Sequence, residues 1–302
     1  MSKKILIVVG GGTKHLKPFN QAGEELGVEV KIASFSTLEL VTKSGTSGVR
    51  ISGEDPANYD VVYLRLVGRR YEDAALLVYY LRKKGIRIVD HTYEKDGLIR
   101  IPIPKSVESK ILEDLGVPLP RTFFARMKTV AEIAPDLFGF PFVIKGTSGK
   151  QGNAVWSPKN GDELKELVEK FSPLEKAGQA RFLAQEFIKA SQRNRVFVIG
   201  DRAIAAITRP TRWRKRFQER VDGEYPEGKR HALVPIPEED ADLAVKAAQA
   251  LGVEIGGADI ITEDATGKKY VLEVNSAPRW DSIKKDTGIN VEKEILKYLS
   301  SI

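Results

Sequence analysis

Three oxygen-bearing side chains near the carboxyl end of this 302-residue chain have the types and spacing of a divalent-cation site. Asp259 lies in one apolar run, and Glu273 and Asn275 lie in the next. Side chains two residues apart on a strand share a face, so Glu273 and Asn275 should point the same way. Mg²⁺ binds carboxylate and carbonyl oxygens and leaves other coordination positions to phosphate and water. The pattern therefore predicts a magnesium site.

Pairing of the two runs as a hairpin would bring the third ligand to the other two. A three-residue loop over 265–267, with its glycine in the left-handed conformation, pairs Asp264 with Lys268 and sets Asp259 opposite Glu273. A solvated surface hairpin is the alternative interpretation. The apolar residues around the ligands favour a buried sheet, where carboxylates without a partner would be costly.

A lysine followed by a glycine-rich segment forms a second candidate site, which suits phosphate. Lys145 ends an apolar run, and the segment 146–152 follows, with Ser148 and Gly149 as its expected nucleotide-binding residues. Backbone N–H groups of such a segment can approach phosphate oxygens closely, and the ammonium group neutralises them. A flexible hairpin tip has the same composition. The lysine directly before the segment favours phosphate binding.

The third candidate is the run 182–188 and the arginines that follow it. Its backbone and apolar side chains suit a purine ring, although an interdomain connector is the alternative interpretation. The candidate catalytic cations are Arg195, on the next predicted strand, and Arg209, at the end of the strand after that. The expected nucleotide-contacting residues of the run are Gln185, Glu186, Phe187 and Ile188.

Composition excludes several other chemistries. The chain has no cysteine, so it has no disulfide, thiol nucleophile or cysteine-ligated metal. Its histidines, His15, His91 and His231, are too widely separated in sequence to suggest a histidine-rich metal site or a serine–histidine hydrolase. The net charge of +7 favours anionic partners, without choosing between nucleotide, acidic peptide and nucleic acid.

No segment predicts membrane insertion. The apolar run after Lys3 and Lys4 soon ends in glycines and is too short for the core of a signal peptide. The longest apolar run, 74–81, is far shorter than the roughly 20 residues that a membrane span needs. We expect a cytoplasmic protein.

Regular elements must position these groups, and the first of them predict a doubly wound α/β unit over residues 1–97. The apolar run 5–9 is typical of a buried parallel strand that leads into a turn and a helix. The glycines at 10–12 lack the spacing of a dinucleotide-binding loop, because His15 stands where the third glycine should be, so they predict a tight turn. Further strands are predicted over 28–33, 61–66 and 86–89, and helices over 18–26 and 73–84.

A proline-containing linker separates this unit from two others, a central α+β unit over 98–183 and a carboxy-terminal unit over 184–302. Ser106 is expected to cap the first helix of the central unit. The other central elements are expected at 122–125, 142–145, 154–156 and, as a helix, 162–171. The carboxy-terminal strands are expected at 196–199, 203–208, 258–262 and 270–274, and its helices at 239–251 and 291–299.

Taken in order, the motifs resemble the RimK-like ligases of the ATP-grasp superfamily, over residues from about 86 to 300. The resemblance implies an ATP-grasp fold behind an α/β domain, with ATP and Mg²⁺, or Mn²⁺, as cofactors. It implies that ATP converts a carboxylate to an acyl phosphate, which an amine then attacks with release of phosphate. The matching segments are Pro141-Phe-Val-Ile-Lys145, Gln185-Glu-Phe-Ile188, Arg195-Val-Phe-Val-Ile-Gly-Asp201, Ala258-Asp259, Leu272-Glu-Val-Asn-Ser276 and Asp286-Thr-Gly288.

The resemblance also implies a role for each matching residue. Lys105 and Lys145 match the family's two phosphate-binding lysines, and Arg195 matches an arginine that faces the phosphates or the acceptor. The run 185–188 matches the segment that holds adenine, and Asp259, Glu273 and Asn275 match the magnesium ligands. Activation by ATP needs positioning and charge neutralisation, not a protein nucleophile, which agrees with the absence of cysteine.

The sequence departs from the family where the acceptor pocket is shaped. The basic segment 209–220 replaces an Arg-Ser-Asn motif and paired glycines, and Arg279, followed by Trp280, stands where the family has a glycine. These changes predict an anionic substrate, such as an acidic peptide or a phosphorylated metabolite. A solvated charged loop is the alternative interpretation of the basic segment.

The leading hypothesis is therefore a ligase that joins an amino acid such as glutamate to a peptide or small acceptor, as a monomer or a homo-oligomer. One alternative is a small-molecule kinase on the same fold. Another is a non-catalytic homologue that binds nucleic acid or protein, which the basic segment and the net charge suggest. The presence of every candidate metal ligand and both lysines favours the ligase over a nucleic-acid partner.

Overall fold

The protein is described by a computed structural model that covers residues 2–42, 48–93, 103–147, 154–210, 232–233, 236–281, 283–284 and 288–302. Of Arg209, it describes the backbone only. Within these residues, no helix combines the length and the apolar character needed to cross a membrane.

The first part of the chain forms a four-stranded parallel sheet with helices on both faces. Its elements are β1 (Lys4–Val9), α1 (Pro18–Leu26), β2 (Glu29–Ser34), β3 (Leu38–Val41), β4 (Gly48–Ile51), β5 (Val61–Arg65), α2 (Tyr71–Lys83) and β6 (Arg87–Val89). The strand order is β2-β1-β5-β6, and β3 and β4 form a separate hairpin that was not among the predicted elements. The predicted doubly wound unit is confirmed.

Alternation along β1 explains why this sheet is covered on both sides. On one face, Ile5 and Ile7 pack with Phe19 of α1. On the other face, Leu6 and Val8 pack with Leu77 of α2.

The tight turn predicted after β1 is confirmed. The Gly10 N–H donates to the carbonyl of Leu66, and a Cβ at Gly10 would lie 2.3 Å from the next carbonyl oxygen, so a side chain does not fit there.

The central part is a four-stranded antiparallel sheet in the order β7-β10-β8-β9, backed by α4 and α5. Its elements are α3 (Lys105–Asp114), β7 (Thr122–Phe123), α4 (Met127–Phe138), β8 (Val143–Gly146), β9 (Val155–Trp156), α5 (Gly161–Lys176) and β10 (Phe182–Gln185). The side chain of Asn160 caps α5 by accepting a hydrogen bond from the Glu163 N–H at 3.0 Å. Phe171 on α5 stacks on Phe182 of β10 within this core.

The last part is a five-stranded antiparallel sheet in the order β13-β12-β11-β14-β15. Its elements are β11 (Gln192–Ile199), β12 (Arg202–Pro210), β13 (Ala232–Leu233), α6 (Glu238–Leu251), β14 (Ile255–Thr262), β15 (Lys269–Asn275) and α7 (Val291–Ser301). Helix α6 covers one face, where Ala244 and Ala248 pack against Val196 and Ala258.

The opposite face of this large sheet packs against the amino-terminal unit. One continuous core contains Ile5 and Phe19 from the first part of the chain and Phe197, Trp280 and Ile295 from the last. The ring of Trp280 meets those of Phe19 and Phe197 edge-on, at centroid distances of 6.1 and 5.9 Å. The two ends of the chain are therefore held together by a shared apolar core.

The structure corrects two expectations about boundaries. Helix α3 begins at Lys105, with Pro104 as its N-cap, so Ser106 lies inside the first turn and does not cap the helix. Strand β10 pairs with β7 and β8 of the central sheet, although the predicted division between residues 183 and 184 runs through it. The division into units over 1–97, 98–183 and 184–302 otherwise remains a prediction.

Candidate functional site

The β14–β15 hairpin places Asp259 opposite Glu273, but not by the predicted register. The pairing nearest the loop is Thr262 with Lys269, and the Glu263 N–H donates to the carbonyl of Lys268, so Asp264 belongs to the loop and does not pair with Lys268. An irregularity beside Asp259 shifts the register by one residue. This β-bulge restores the pairing of the acidic residues.

Asp259 is completely buried and is held by two arginines of β11. Arg195 donates to both carboxylate oxygens, from Nε at 2.6 Å and from Nη2 at 2.7 Å. Nη1 of Arg193 lies 3.2 Å from Oδ2 of the same carboxylate. Burial opposes the charge on Arg195, but the hydrogen bonds and charge of Asp259 outweigh it and raise the arginine's pKa. The sheet thus presents a carboxylate that is ion-paired with arginines at the position predicted to bind the metal ion.

Glu273 is joined to Lys105, which stands at the amino end of α3. The Lys105 Nζ donates to Glu273 Oε2 at 2.5 Å, and Asn275 Nδ2 donates to the other oxygen at 3.2 Å. Burial alone would raise the pKa of Glu273, but the ammonium groups of Lys105 and Lys145 lower it to about 2. The carboxylate is therefore ionised at any physiological pH.

Lys145 lies in the same cluster, and no carboxylate of the described residues forms an ion pair with it. Its Nζ donates to the side-chain oxygen of Gln185, whose Nε2 donates to Thr122 Oγ1 at 2.9 Å. Burial, together with the charge of Lys105, lowers the pKa of Lys145 to about 8, although Glu273 opposes the shift. A buried ammonium group held by neutral atoms is ready to receive an anion such as a phosphate.

The donor set fits Mg²⁺ bound together with a nucleotide. Among the described residues, no three His, Cys, Asp or Glu side chains converge on one point, and the candidate site has two carboxylates, Asp259 and Glu273, and one amide. Asn275 uses its Nδ2 on Glu273, so Oδ1 is the ligand atom that it can offer. Mg²⁺ commonly takes one or two carboxylates and completes its shell with phosphate and water.

The predicted adenine segment connects the central sheet to the large sheet. Glu186 is fixed by Arg121, which donates to both of its oxygens at 3.1 and 3.0 Å, and these bonds lower the pKa of Glu186. Ile188 is buried with Ile261 and Tyr270 of the β14–β15 hairpin, and Phe187 is half-buried. The segment therefore carries an apolar wall beside the charged cluster.

Three predicted residues are not placed at the side-chain level. Ser148 and Gly149 lie outside the described residues, and so do residues 211–220 of the basic segment. The backbone of Arg209 pairs opposite Arg193 at the end of β12. Arg279 is exposed, and its neighbour Trp280 is buried beneath the guanidinium of Arg65, which lies 3.7 Å from the ring centroid.

Two members of the cluster were not among the predicted residues. Glu108 lies one helical turn after Lys105, is buried, and accepts a hydrogen bond from the Val274 N–H at 2.8 Å. Burial raises its pKa to about 7, against the opposing charge of Lys105. Arg193 could have been found from its spacing, because residues two apart on β11 share the face that carries Arg195.

Together these groups form a mixed cluster where the central sheet meets the large sheet. Lys105 and Lys145 come from the central elements, and Arg195, Asp259 and Glu273 come from the large sheet. The two lysines lie close enough together for the charge of Lys105 to lower the pKa of Lys145. Cations beside ionised carboxylates can hold a polyphosphate and its metal ion at one place.

Comparison with known proteins shows which family the chain belongs to. The RimK-like ATP-grasp domain matches residues 105–299. A relative from Legionella pneumophila (strain Corby), named probable alpha-L-glutamate ligase, is 30% identical over 94% of this chain and 90% of its own length. Another of that name, from Trichodesmium erythraeum (strain IMS101), is 27% identical over 92% of this chain and 89% of its own length.

Solved structures show the same fold. The ATP-grasp ligase PsnB, complexed with a minimal precursor, superposes with a TM-score of 0.73 at 17% identity and covers 100% of this chain and 99% of its own. The D-cycloserine synthetase DcsG gives 0.67 at 14% identity, covering 99% of each chain. The predicted ATP-grasp fold is confirmed. The chain belongs to the RimK-like ATP-grasp family and is an ATP-dependent carboxylate-amine ligase.

Proposed function

We propose that this ligase adds an amino acid such as glutamate to an anionic peptide or small-molecule acceptor. The observation that carries the proposal is the cluster of Lys105 and Lys145 against Asp259, Glu273 and Asn275 where two sheets meet. The names of the relatives support glutamate as the amino acid. The surplus of basic residues supports an acidic acceptor.

In this proposal each side chain has a role in binding or charge neutralisation. Lys105 and Lys145 hold phosphate oxygens of ATP, with Ser148 and Gly149 contributing from the glycine-rich segment. Asp259, Glu273 and Asn275 hold Mg²⁺, or Mn²⁺ in its place, and the bound ion neutralises the phosphate charge. Arg195 fixes the Asp259 carboxylate by two hydrogen bonds and, with Arg209, faces the reacting groups.

The reaction then requires no nucleophile from the protein. A substrate carboxylate oxygen attacks the terminal phosphorus of ATP, and ADP leaves, which produces an acyl phosphate. An amine attacks the acyl carbon, inorganic phosphate leaves, and the amine proton passes to solvent or to a neighbouring base. The protein lowers the barrier by holding the groups in line and by placing cations where charge develops. The segment 185–188 holds the adenine and closes the site on one side.

The experiment that tests the proposal removes one charge from the metal site. We expect Glu273→Gln to lower the rate of ADP release by about 100-fold or more, because the uncharged amide binds a cation less strongly and leaves Lys105 without its partner. ADP release is measured with amino acids and acidic peptides, and mass spectrometry identifies the product.

Glu294→Gln is the matched control, because Glu294 lies on α7 and pairs only with surface cations among the described residues. It should retain the wild-type rate. Full activity in Glu273→Gln would contradict the metal site. A stable phosphorylated product without an amide would instead support the kinase alternative.

A further inference from the structure

Arg193 lies on the face of β11 that carries the site, two residues before Arg195. In the sheet it is opposite Ile261 of β14 on one side and opposite the backbone of Arg209 of β12 on the other. It is thus one strand away from the metal-binding carboxylate and one strand away from the start of the basic segment.

The two arginines on Asp259 differ in how firmly they are held. Arg195 makes two hydrogen bonds to the carboxylate, and its side chain is 17% exposed. Arg193 approaches with Nη1 alone, at 3.2 Å, and its side chain is 31% exposed. Within the described part of the chain, Asp259 is its only ion-pair partner. Among the described residues, therefore, most of the donor groups of this guanidinium remain available to a ligand.

Charge neutralisation in the cluster also leaves Arg193 in surplus. Oδ2 of Asp259 already accepts a hydrogen bond from Arg195, so one carboxylate serves two guanidinium groups. Lys105 is paired with Glu273. A metal ion at Asp259 would draw still more of the carboxylate's charge away from Arg193. A second anion beside Arg193 would balance the site.

The order of the strands indicates which anion this is. Carboxylates lie on β15 and β14, guanidinium groups lie on β11, and β12 continues into the basic segment. The nucleotide phosphates are expected beside the two lysines and the metal ligands, at the β14–β15 side of the sheet. Arg193 is displaced from them towards the region where the sequence leaves its family, which is where the substrates should differ.

We propose that Arg193 binds the non-reacting side-chain carboxylate of the glutamate substrate and thereby selects glutamate over its neutral amide, glutamine. The proposal rests on the ligase function proposed above and deepens it. A guanidinium can bind a carboxylate through two parallel hydrogen bonds, and leaving such a donor unpaired in a site built for it strongly disfavours the uncharged analogue.

The test compares L-glutamate with L-glutamine as the amino-acid substrate, using ADP release and mass spectrometry of the product. We expect the wild type to have a kcat/KM for glutamate about 10- to 100-fold above that for glutamine, and Arg193→Gln to reduce this ratio to near one by raising KM for glutamate. Arg193→Lys, which keeps the charge but not the two-pronged donor geometry, should restore part of the ratio.

Arg202→Gln is the matched control. Arg202 lies on the β11–β12 hairpin, its side chain is 63% exposed, and it pairs with Glu294 only weakly, at 3.9 Å. It should leave the ratio unchanged. KM for ATP and the Mg²⁺ concentration for half-maximal rate should stay within about twofold in Arg193→Gln, because a purely structural partner of Asp259 would change these instead.

The outcomes separate this inference from the function on which it rests. Absence of ADP release with any amino acid or acidic peptide would overturn the proposed function, and the inference with it. Turnover with equal kcat/KM for glutamate and glutamine in the wild type would overturn the inference alone, without recourse to a variant. The same holds if Arg193→Gln keeps the preference, or if its KM for ATP rises in place of its KM for glutamate.

Discussion

At the scale of single residues, two lysines of one cluster have opposite electrostatic surroundings. Lys105 is partly desolvated, but Glu273 and Glu108 more than compensate, and its pKa is raised. Lys145 is more deeply desolvated and bonds to a neutral amide, and its pKa falls to about 8. The difference arises from the partner and the degree of burial, because the side chains are identical. Of these two lysines, Lys145 is therefore the one whose charge changes nearest to neutral pH.

This difference predicts how ATP use depends on pH. A pKa of about 8 means that Lys145 is charged below pH 8 and loses its charge as the pH rises through that value. We expect kcat/KM for ATP to fall by up to about tenfold between pH 7 and pH 9, since that quantity reports the free enzyme. Bound phosphate stabilises the ammonium, so kcat should fall only at higher pH.

The check is the same profile measured for Lys145→Arg. A guanidinium remains charged throughout this range, so the fall between pH 7 and pH 9 should disappear even if the overall rate is lower. A wild-type profile that is flat from pH 7 to pH 9, or an unchanged slope in the variant, would show that Lys145 is not the group responsible.

At the scale of elements, α3 connects the two sheets that form the site. Its first turn carries both Lys105, which binds Glu273, and Glu108, which accepts a hydrogen bond from the Val274 N–H. Val274 lies between the two predicted metal ligands of β15. The helix therefore contacts both a side chain and the backbone of β15, and it links the position of that strand to Lys105, the proposed phosphate-binding lysine.

This link predicts different effects for two substitutions of Glu108. Glu108→Gln keeps an oxygen that can accept from Val274, so we expect nearly wild-type stability and ADP release. Glu108→Leu leaves the N–H without that acceptor and should lower the free energy of unfolding by about 1–3 kcal/mol, with a weaker response to ATP. Urea unfolding with and without Mg-ATP measures both effects. Equal destabilisation by the two variants would refute a role for this hydrogen bond.

At the scale of the whole molecule, the three units do not share their cores equally. Residues from both ends of the chain form one core, which includes Phe19 and Phe197. The central unit has a core of its own, whose members, including Phe171, all come from the central elements. The amino- and carboxy-terminal units should therefore unfold together, whereas the central unit can unfold separately.

Calorimetry of matched core variants tests this division. Phe19→Ala and Phe171→Ala each remove a buried phenylalanine and should each cost about 3–5 kcal/mol. We expect Phe19→Ala to lower only the transition of the shared core, and Phe171→Ala to lower only that of the central unit. A single transition that both variants shift equally would show that all three units unfold as one.

The sequence predicted most elements because their signals are local. The apolar run 5–9 and the glycines that follow it predict a buried strand and a turn from the residue types of one short segment. The predicted pairing of Asp259 with Glu273 is correct, but the predicted register at the loop is not. The loop is longer than the predicted three residues, and a β-bulge beside Asp259 shifts the register back by one residue. A bulge depends on packing on both faces of a sheet, which periodicity does not encode.

By itself, the sequence determined which residue types were available for chemistry and which strands carried them. Residue types and their spacing along a strand are properties of short segments, so they can be predicted without the fold. Only the tertiary structure decided which charges are neighbours. Lys105 meets Glu273 across 168 residues of chain, and Arg193 joins Arg195 on one carboxylate. Charge, burial and pKa depend on such distant neighbours, because electrostatic interactions act through space and strengthen as water is excluded.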